Sequence, residues 1–190
     1  GACIQALWMP DRHGRRDNVV LGFDQPLDYL SPKNQHFGSC IGRVAGRIDQ
    51  GRFSIDHKSY QLDKNLGDHH LHGGSKGGFH AVCWDVDWEQ SKSCCHLRFR
   101  HHSPAGCEAY PGAMDVTVDY RFHDDNRLEL SFAAKTDAPG PINLCNHTYW
   151  NLSGQMSQPI WNHQLEIQAN QVLATNSDLI PKWRADELTI

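Results

Sequence analysis

Ten consecutive residues, Asn143-Leu144-Cys145-Asn146-His147-Thr148-Tyr149-Trp150-Asn151-Leu152, set one histidine among amide, hydroxyl and aromatic side chains. Imidazole exchanges a proton near neutral pH, and Asn amides pair with hydroxyls in both directions. Tyr and Trp faces stack on the apolar side of a pyranose ring. Such a set is equipped to hold a sugar and move a proton on it, with His147 as the acid-base candidate. His72, in Leu71-His72-Gly73-Gly74, is the second candidate, because two glycines let backbone and ligand approach closely. No glycine fingerprint between strand and helix occurs, so nothing points to a nucleotide fold.

The run around His147 resembles the signature of the aldose 1-epimerases, the galactose mutarotases, which place Thr where this chain has Cys145. Further segments follow in the order of that family. They are Val19-Val20-Leu21-Gly22-Phe23, Phe37-Gly38 through Gly46-Arg47-Ile48, Leu71-His72-Gly73-Gly74, Gly78-Phe79, Tyr110-Pro111-Gly112 and Asp178-Leu179-Ile180-Pro181. The resemblance implies a large antiparallel β-sandwich with a sugar site. It also implies acid-base ring opening that interconverts α- and β-anomers of aldohexoses such as galactose and glucose, without cofactor or metal. On it, His147 is the general acid for the ring oxygen, His72 donates to a sugar hydroxyl and Arg47 binds substrate. Thr148, Tyr149 and Trp150 line the pocket.

The same resemblance places the family's base, a C-terminal Glu, and a sugar-binding Asp beyond Ile190. Residues 1–190 are therefore expected to form one aldose 1-epimerase-like domain, incomplete at both ends and truncated before the region of the base. Gly46 stands where relatives carry an Asn that contacts the sugar. In the Ser103–Gly112 segment, Cys107 and Ala109 replace an acidic residue and a Gly. Glu108 lies in that loop but in no base motif. A different class of function, a non-catalytic carbohydrate-binding or regulatory module of the same fold, keeps Arg47, His72 and His147 without a base.

The elements that must position these side chains show a period of two. In Met114 through Phe122 every second side chain is apolar, Asp124-Asp125-Asn126 supplies turn chemistry, and Leu128, Leu130, Phe132 and Ala134 alternate on the return. A second hairpin is expected from Arg52-Phe53-Ser54-Ile55 through Asp56-His57-Lys58 to Tyr60 and Leu62. A third pairs Val86-Asp87-Trp88 with His96-Leu97-Arg98-Phe99 around Gln90-Ser91-Lys92-Ser93. Leu165, Ile167 and Ala169 predict a later strand. Short strands with turn signals and no long amphipathic stripe make the chain all-β.

Composition fits a globular domain: 39% hydrophobic and 21% charged residues over 190, with a net charge of −4. Dispersed basic residues and no apolar run long enough to span a bilayer give no reason to expect nucleic acid or membrane as partner. Seven cysteines without CxxC spacing read as free thiols of a reducing, cytoplasmic setting. His69, His70, His72, His101 and His102 invite a metal reading, but no Cys or carboxylate recurs at zinc-site spacing. The sequons at Asn146 and Asn151 read as chance matches. A sandwich lacking part of its strands leaves open edges, so self-association through them is expected.

Overall fold

Alternating side chains in four successive segments build the largest sheet. The computed structural model describes residues 1–154 and 158–187. In it the strands Leu128–Thr136, Met114–His123, Cys94–Ser103 and Asp85–Gln90 lie side by side in that order, all antiparallel. Val116 faces Ala134 and His101, Val118 faces Phe132 and Phe99, and Tyr120 faces Leu130 and Leu97. Because the period is two, these residues share one face. That face is buried through Met114, Val116, Val118 and Tyr120 against Ala2, Cys40, Phe79 and Leu144. The opposite face is a charged ladder in which Asp119 accepts from His96 at 2.5 Å and from Arg98 at 2.8 Å.

The layer against the buried face is made of short pieces. Cys40–Ile41 pairs with Cys145–Asn146, and the N-terminal segment lies alongside, Cys40 N–H donating to Gly1 O and Ile4 N–H to Gly38 O. Val19 and Val20 join the segment at Trp150 and Asn151. A smaller core forms from Val44, Leu62 and Tyr110, with Ile48 and Phe53 packed against it. The fold is thus an all-β antiparallel sandwich. Its helical turns, at Pro26–Leu30, Asp49–Gly51 and Cys107–Ala109, are short 3-10 pieces. No helix among the described residues is long and apolar enough to cross a membrane.

The three expected hairpins form. In the second, the turn is tighter than the sequence suggested: Asp56 and His57, with φ of 50° and 64°, make the reversal alone, and Lys58 already pairs with Ile55. Two successive left-handed residues give the turn whose twist matches its strands. The expected strand at Leu165, Ile167 and Ala169 does not form. The strand there is Gln171–Thr175, paired with Pro181–Glu187. Leu165 and Ile167 stay 86% and 66% exposed, and Ala169 N–H turns back to Ile167 O instead of joining a ladder. Alternation makes a strand only where a neighbour offers hydrogen bonds and a face to bury.

Candidate active site

One continuous segment, residues 38–48, positions every histidine of interest. Its first part extends the ladder with the Cys145–Asn146 strand: Gly38 N–H donates to His147 O at 3.1 Å, and His147 N–H to Ser39 O at 2.8 Å. Its middle is stitched to Asn143, whose O accepts from Ala45 N–H at 2.7 Å and whose N–H donates to Arg43 O. Its last part, Arg47–Ile48, pairs with His70–Leu71. His72 then leaves the strand with a φ of 53° and donates its N–H to Gly46 O at 3.0 Å. Gly73 makes that departure feasible, since a Cβ there would lie 1.7 Å from Gly42 O. Adjacent registers of one segment therefore bring together two histidines 75 residues apart in sequence.

The His72 ring is fixed as well as its backbone. Gly46 N–H donates to His72 Nδ1 at 3.0 Å, so Nδ1 is the unprotonated nitrogen and the ring proton sits on Nε2. His72 thereby presents a hydrogen-bond donor. Its ring centroid lies 5.3 Å from that of His147 and 5.1 Å from that of His36, both nearly edge-on to it. His36 in turn stands 4.4 Å from His80 and 5.8 Å from His147. None of these four rings is paired with a carboxylate among the described residues. Burial, then the charges of His36, His147, His80 and Arg47, push His72 down to about 4. Burial, then His36, the N-terminal amine and His147, push His80 down to about 4 as well. His36 is lowered by burial and by His147. At neutral pH the cluster holds His36, His72 and His80 as uncharged imidazoles. Arg47 is near enough to act on His72, and no carboxylate pairs with it among the described residues.

This arrangement offers a donor nitrogen, an unneutralised guanidinium and an adjacent imidazole, the groups needed to grip oxygens and pass a proton. An aldose 1-epimerase family model matches residues 1–189. The chain belongs to the aldose 1-epimerase family. It is 41% identical over 181 residues to the galactose mutarotase of Bos taurus, covering 95% of this chain and 51% of that protein. It is 33% identical to the aldose 1-epimerase of Escherichia coli K12, again over 95% of this chain and 51% of that one. The chain spans about half the length of the curated relatives it matches. Among solved structures it resembles an aldose epimerase homologue from C. elegans, with a TM-score of 0.88 and 30% identity over 99% of this chain and 56% of that one. A galactose 1-epimerase from Lactobacillus acidophilus gives a TM-score of 0.76 and 26% identity, covering 90% and 49%.

The six residues singled out from sequence fall in two places, with Tyr149 bordering both. Arg47, His72, His147 and Tyr149 come together. The Tyr149 ring lies 5.1 Å from His147 and 5.1 Å from Phe37, and its hydroxyl donates to Gln35 O. Thr148 and Trp150 line an apolar hollow of about 780 Å³ with Leu21, Ile160, Trp161 and Leu165, and Tyr149 borders it too. The Thr148 hydroxyl donates to Asn146 Oδ1, which leaves it an acceptor for any ligand. Asn side chains of the motif fasten the chain: Asn146 Nδ2 donates to Gly38 O at 2.8 Å, Asn143 Nδ2 to Ala45 O and Asn151 Nδ2 to Gln158 O. Both sequon amides are thus committed internally.

The five histidines of the metal reading are dispersed. His70 and His72 separate because the strand ends at Leu71. His70 is a buried core residue held between Asp63 O at 2.6 Å and the Tyr110 hydroxyl at 2.9 Å. His69 accepts from Gln50 N–H, His101 packs on Phe79 and Trp84, and His102 meets Asp115 on the outer face. Among the described residues no group of three His, Cys, Asp or Glu is arranged to hold a metal ion. All seven cysteines are free.

Glu108 is engaged elsewhere too, accepting from Lys76 N–H and Gly77 N–H and so bracing the loop after His72. Sequence reasoning missed Arg43, whose buried guanidinium donates to Ser103 Oγ and to the carbonyls of Ser103, Pro104, Pro111 and Gly112. It also missed His36 and His80, which sit in no catalytic motif; His36 is marked only by directly preceding Phe37-Gly38.

Proposed function

We propose that this chain forms the sugar-binding and acid-donating part of an aldose 1-epimerase, an isomerase acting on aldohexoses such as galactose and glucose. The observation that carries the reading is the fixed His72 tautomer beside His147: Gly46 N–H on Nδ1 leaves Nε2–H as a donor, 5.3 Å in ring separation from the second imidazole. Mutarotation opens the ring by removing the C1 hydroxyl proton while the ring oxygen gains one. His147 supplies the second proton, worth about 10²- to 10⁴-fold for a well-placed group. His72 Nε2–H donates to a sugar hydroxyl, and the Arg47 fork holds neighbouring oxygens. The Tyr149 ring, packed against His147, forms a wall for the apolar face of the sugar. In this reading the base comes from a part of the relatives' length that the chain does not span.

A second reading, a non-catalytic carbohydrate-binding module, is favoured by the lack of any carboxylate paired with the imidazole cluster among the described residues. Polarimetry of freshly dissolved α-D-galactose, with the chain, its His147→Ala variant and buffer, together with a galactose-binding titration, separates the two. Acceleration that disappears in the variant establishes the epimerase. Binding without acceleration establishes the module, and neither binding nor acceleration rejects both.

A further inference from the structure

The two imidazoles proposed to meet the sugar are not held equally. His72 is locked by Gly46 from both its backbone and its ring. The His147 ring makes no hydrogen bond to any described residue, so packing alone sets its orientation. Its neighbours are His72 at 5.3 Å, Tyr149 at 5.1 Å and His36 at 5.8 Å. Tyr149 is itself anchored on Gln35 O, directly before His36.

His36 is the ring common to the cluster. It stands edge-on to His72, with planes at 85°, and edge-on to His80 at 75°, while tilted 54° against His147. Its backbone is over-determined: φ is 64°, its O accepts from Ser39 N–H at 3.1 Å, and Asn34 Oδ1 accepts from Phe37 N–H at 3.0 Å. Asn34 Nδ2 is in turn held by Tyr29 O at 2.8 Å. A left-handed conformation costs a non-glycine residue free energy, and it persists where surroundings impose it. Here the imposed turn sets the His36 ring against both of the others, the three centroids making a triangle with sides of 5.1, 5.3 and 5.8 Å.

We propose that His36 is a positioning residue of the sugar site, a wedge whose ring fixes the separation and tilt of the His72 and His147 imidazoles. The proposal rests on the reading of Arg47, His72 and His147 as the sugar-binding set. A charged His36 would undo the wedge. The titratable and charged groups around it are His72, His80 and His147, with Arg47 and the N-terminal amine beyond them, and Cys3, Tyr29 and Cys83 lining the same hollow; of these only the imidazoles and the amine can add positive charge in acid. No described carboxylate pairs with the cluster to offset that charge. Acidification should therefore disturb His147 through His36.

The test uses long-range ¹H–¹⁵N spectra of the imidazoles in the full chain, for the unaltered protein, His36→Ala and His36→Phe, each followed over pH and then titrated with galactose. Phe keeps a ring of similar shape that cannot be protonated. In His36→Ala the His147 ring signals shift and sharpen toward a freely rotating imidazole, those of His72 change less, and galactose binds about tenfold more weakly. In His36→Phe the His147 signals and the affinity return to within about twofold of the original at neutral pH. Ring signals of His147 unchanged in His36→Ala overturn the proposal, whether or not the sugar binds. So does a His36→Phe variant that remains folded yet behaves as His36→Ala, since that would assign His36 a polar contact instead of a wedge. Should His36→Ala not fold, His36→Phe decides alone: His147 signals kept at their original positions support the proposal, and displaced signals overturn it. Failure of galactose to shift any imidazole in the unaltered chain would reject the sugar reading while leaving the ring signals to judge the wedge.

Discussion

A single hydrogen bond, Gly46 N–H to His72 Nδ1, decides which nitrogen His72 offers, and residue 46 is where the resemblance read from the sequence implies an Asn. Gly46 has a φ of 82° and open space around its missing Cβ. Asn tolerates that conformation better than other residues with a side chain. Gly46→Asn should therefore fold normally and, by adding an amide beside Arg47 and His72, tighten galactose binding about threefold or more in a calorimetric titration. Gly46→Val, β-branched at a positive φ, should lower stability by about 1–2 kcal/mol. The imidazoles also set a pH response. His72 and His80 titrate at about 4 in the fold against 6.5 for a free side chain. Between those values the unfolded chain binds more protons, so stability is full above about 6.5 and lost as pH falls toward 4. Thermal melts at pH 7.5, 6 and 5 should show a falling midpoint, with a shallower fall in His80→Phe; a midpoint flat across that range would contradict it. At this scale the sequence singled out His72, His147 and Arg47 as candidates because motif and glycine context surround them. His36 and His80 were hidden because a lone histidine says nothing of what packs on it.

Residues 38–48 do for the site what no single strand could, since they touch the strands carrying both His147 and His72 while contributing Arg47. Arg43 ties that segment to the loop at 103–112 through carbonyl and hydroxyl acceptors, with no carboxylate partner among the described residues. Removing its side chain strands several buried acceptors at once, each of which carries a desolvation penalty. Arg43→Met should destabilise the chain by about 3 kcal/mol or more in urea denaturation. Arg98→Met, on the exposed ladder, should have a far smaller effect. Equal losses for the two would show that the segment is not anchored as described. The hairpins were legible at this scale because alternation and turn residues are local. Leu165, Ile167 and Ala169 misled because their alternation lacks a partner strand, which sequence periodicity does not register. The 38–48 segment was recognised as a motif, but its double pairing depends on contacts about 25 and 100 residues away, beyond what local pattern encodes.

The whole molecule leaves a broad apolar surface uncovered. Trp150, Leu152, Ile160, Trp161 and Leu165 are all exposed, and the hollow they border is large and apolar. Contiguous apolar patches of this kind drive association. Sedimentation of the chain should accordingly show concentration-dependent oligomers, which Trp161→Ser reduces; a monodisperse monomer at all concentrations would count against the expectation. The fold class was readable from periodicity, and the family from ordered motifs, because both are spread along the chain. What covers the apolar surface was not readable, since exposure is a property of the assembled layers. The central claim is that residues 38–48 hold His72 and His147 together for a sugar. The most direct measurement is a galactose titration followed at the imidazole nitrogens, for the unaltered chain and for His72→Ala. The account predicts saturable shifts at both His72 and His147, with the His147 shift weakened at least about tenfold in concentration dependence once His72 is removed. No shift at either ring, or a His147 response unchanged in His72→Ala, would contradict it.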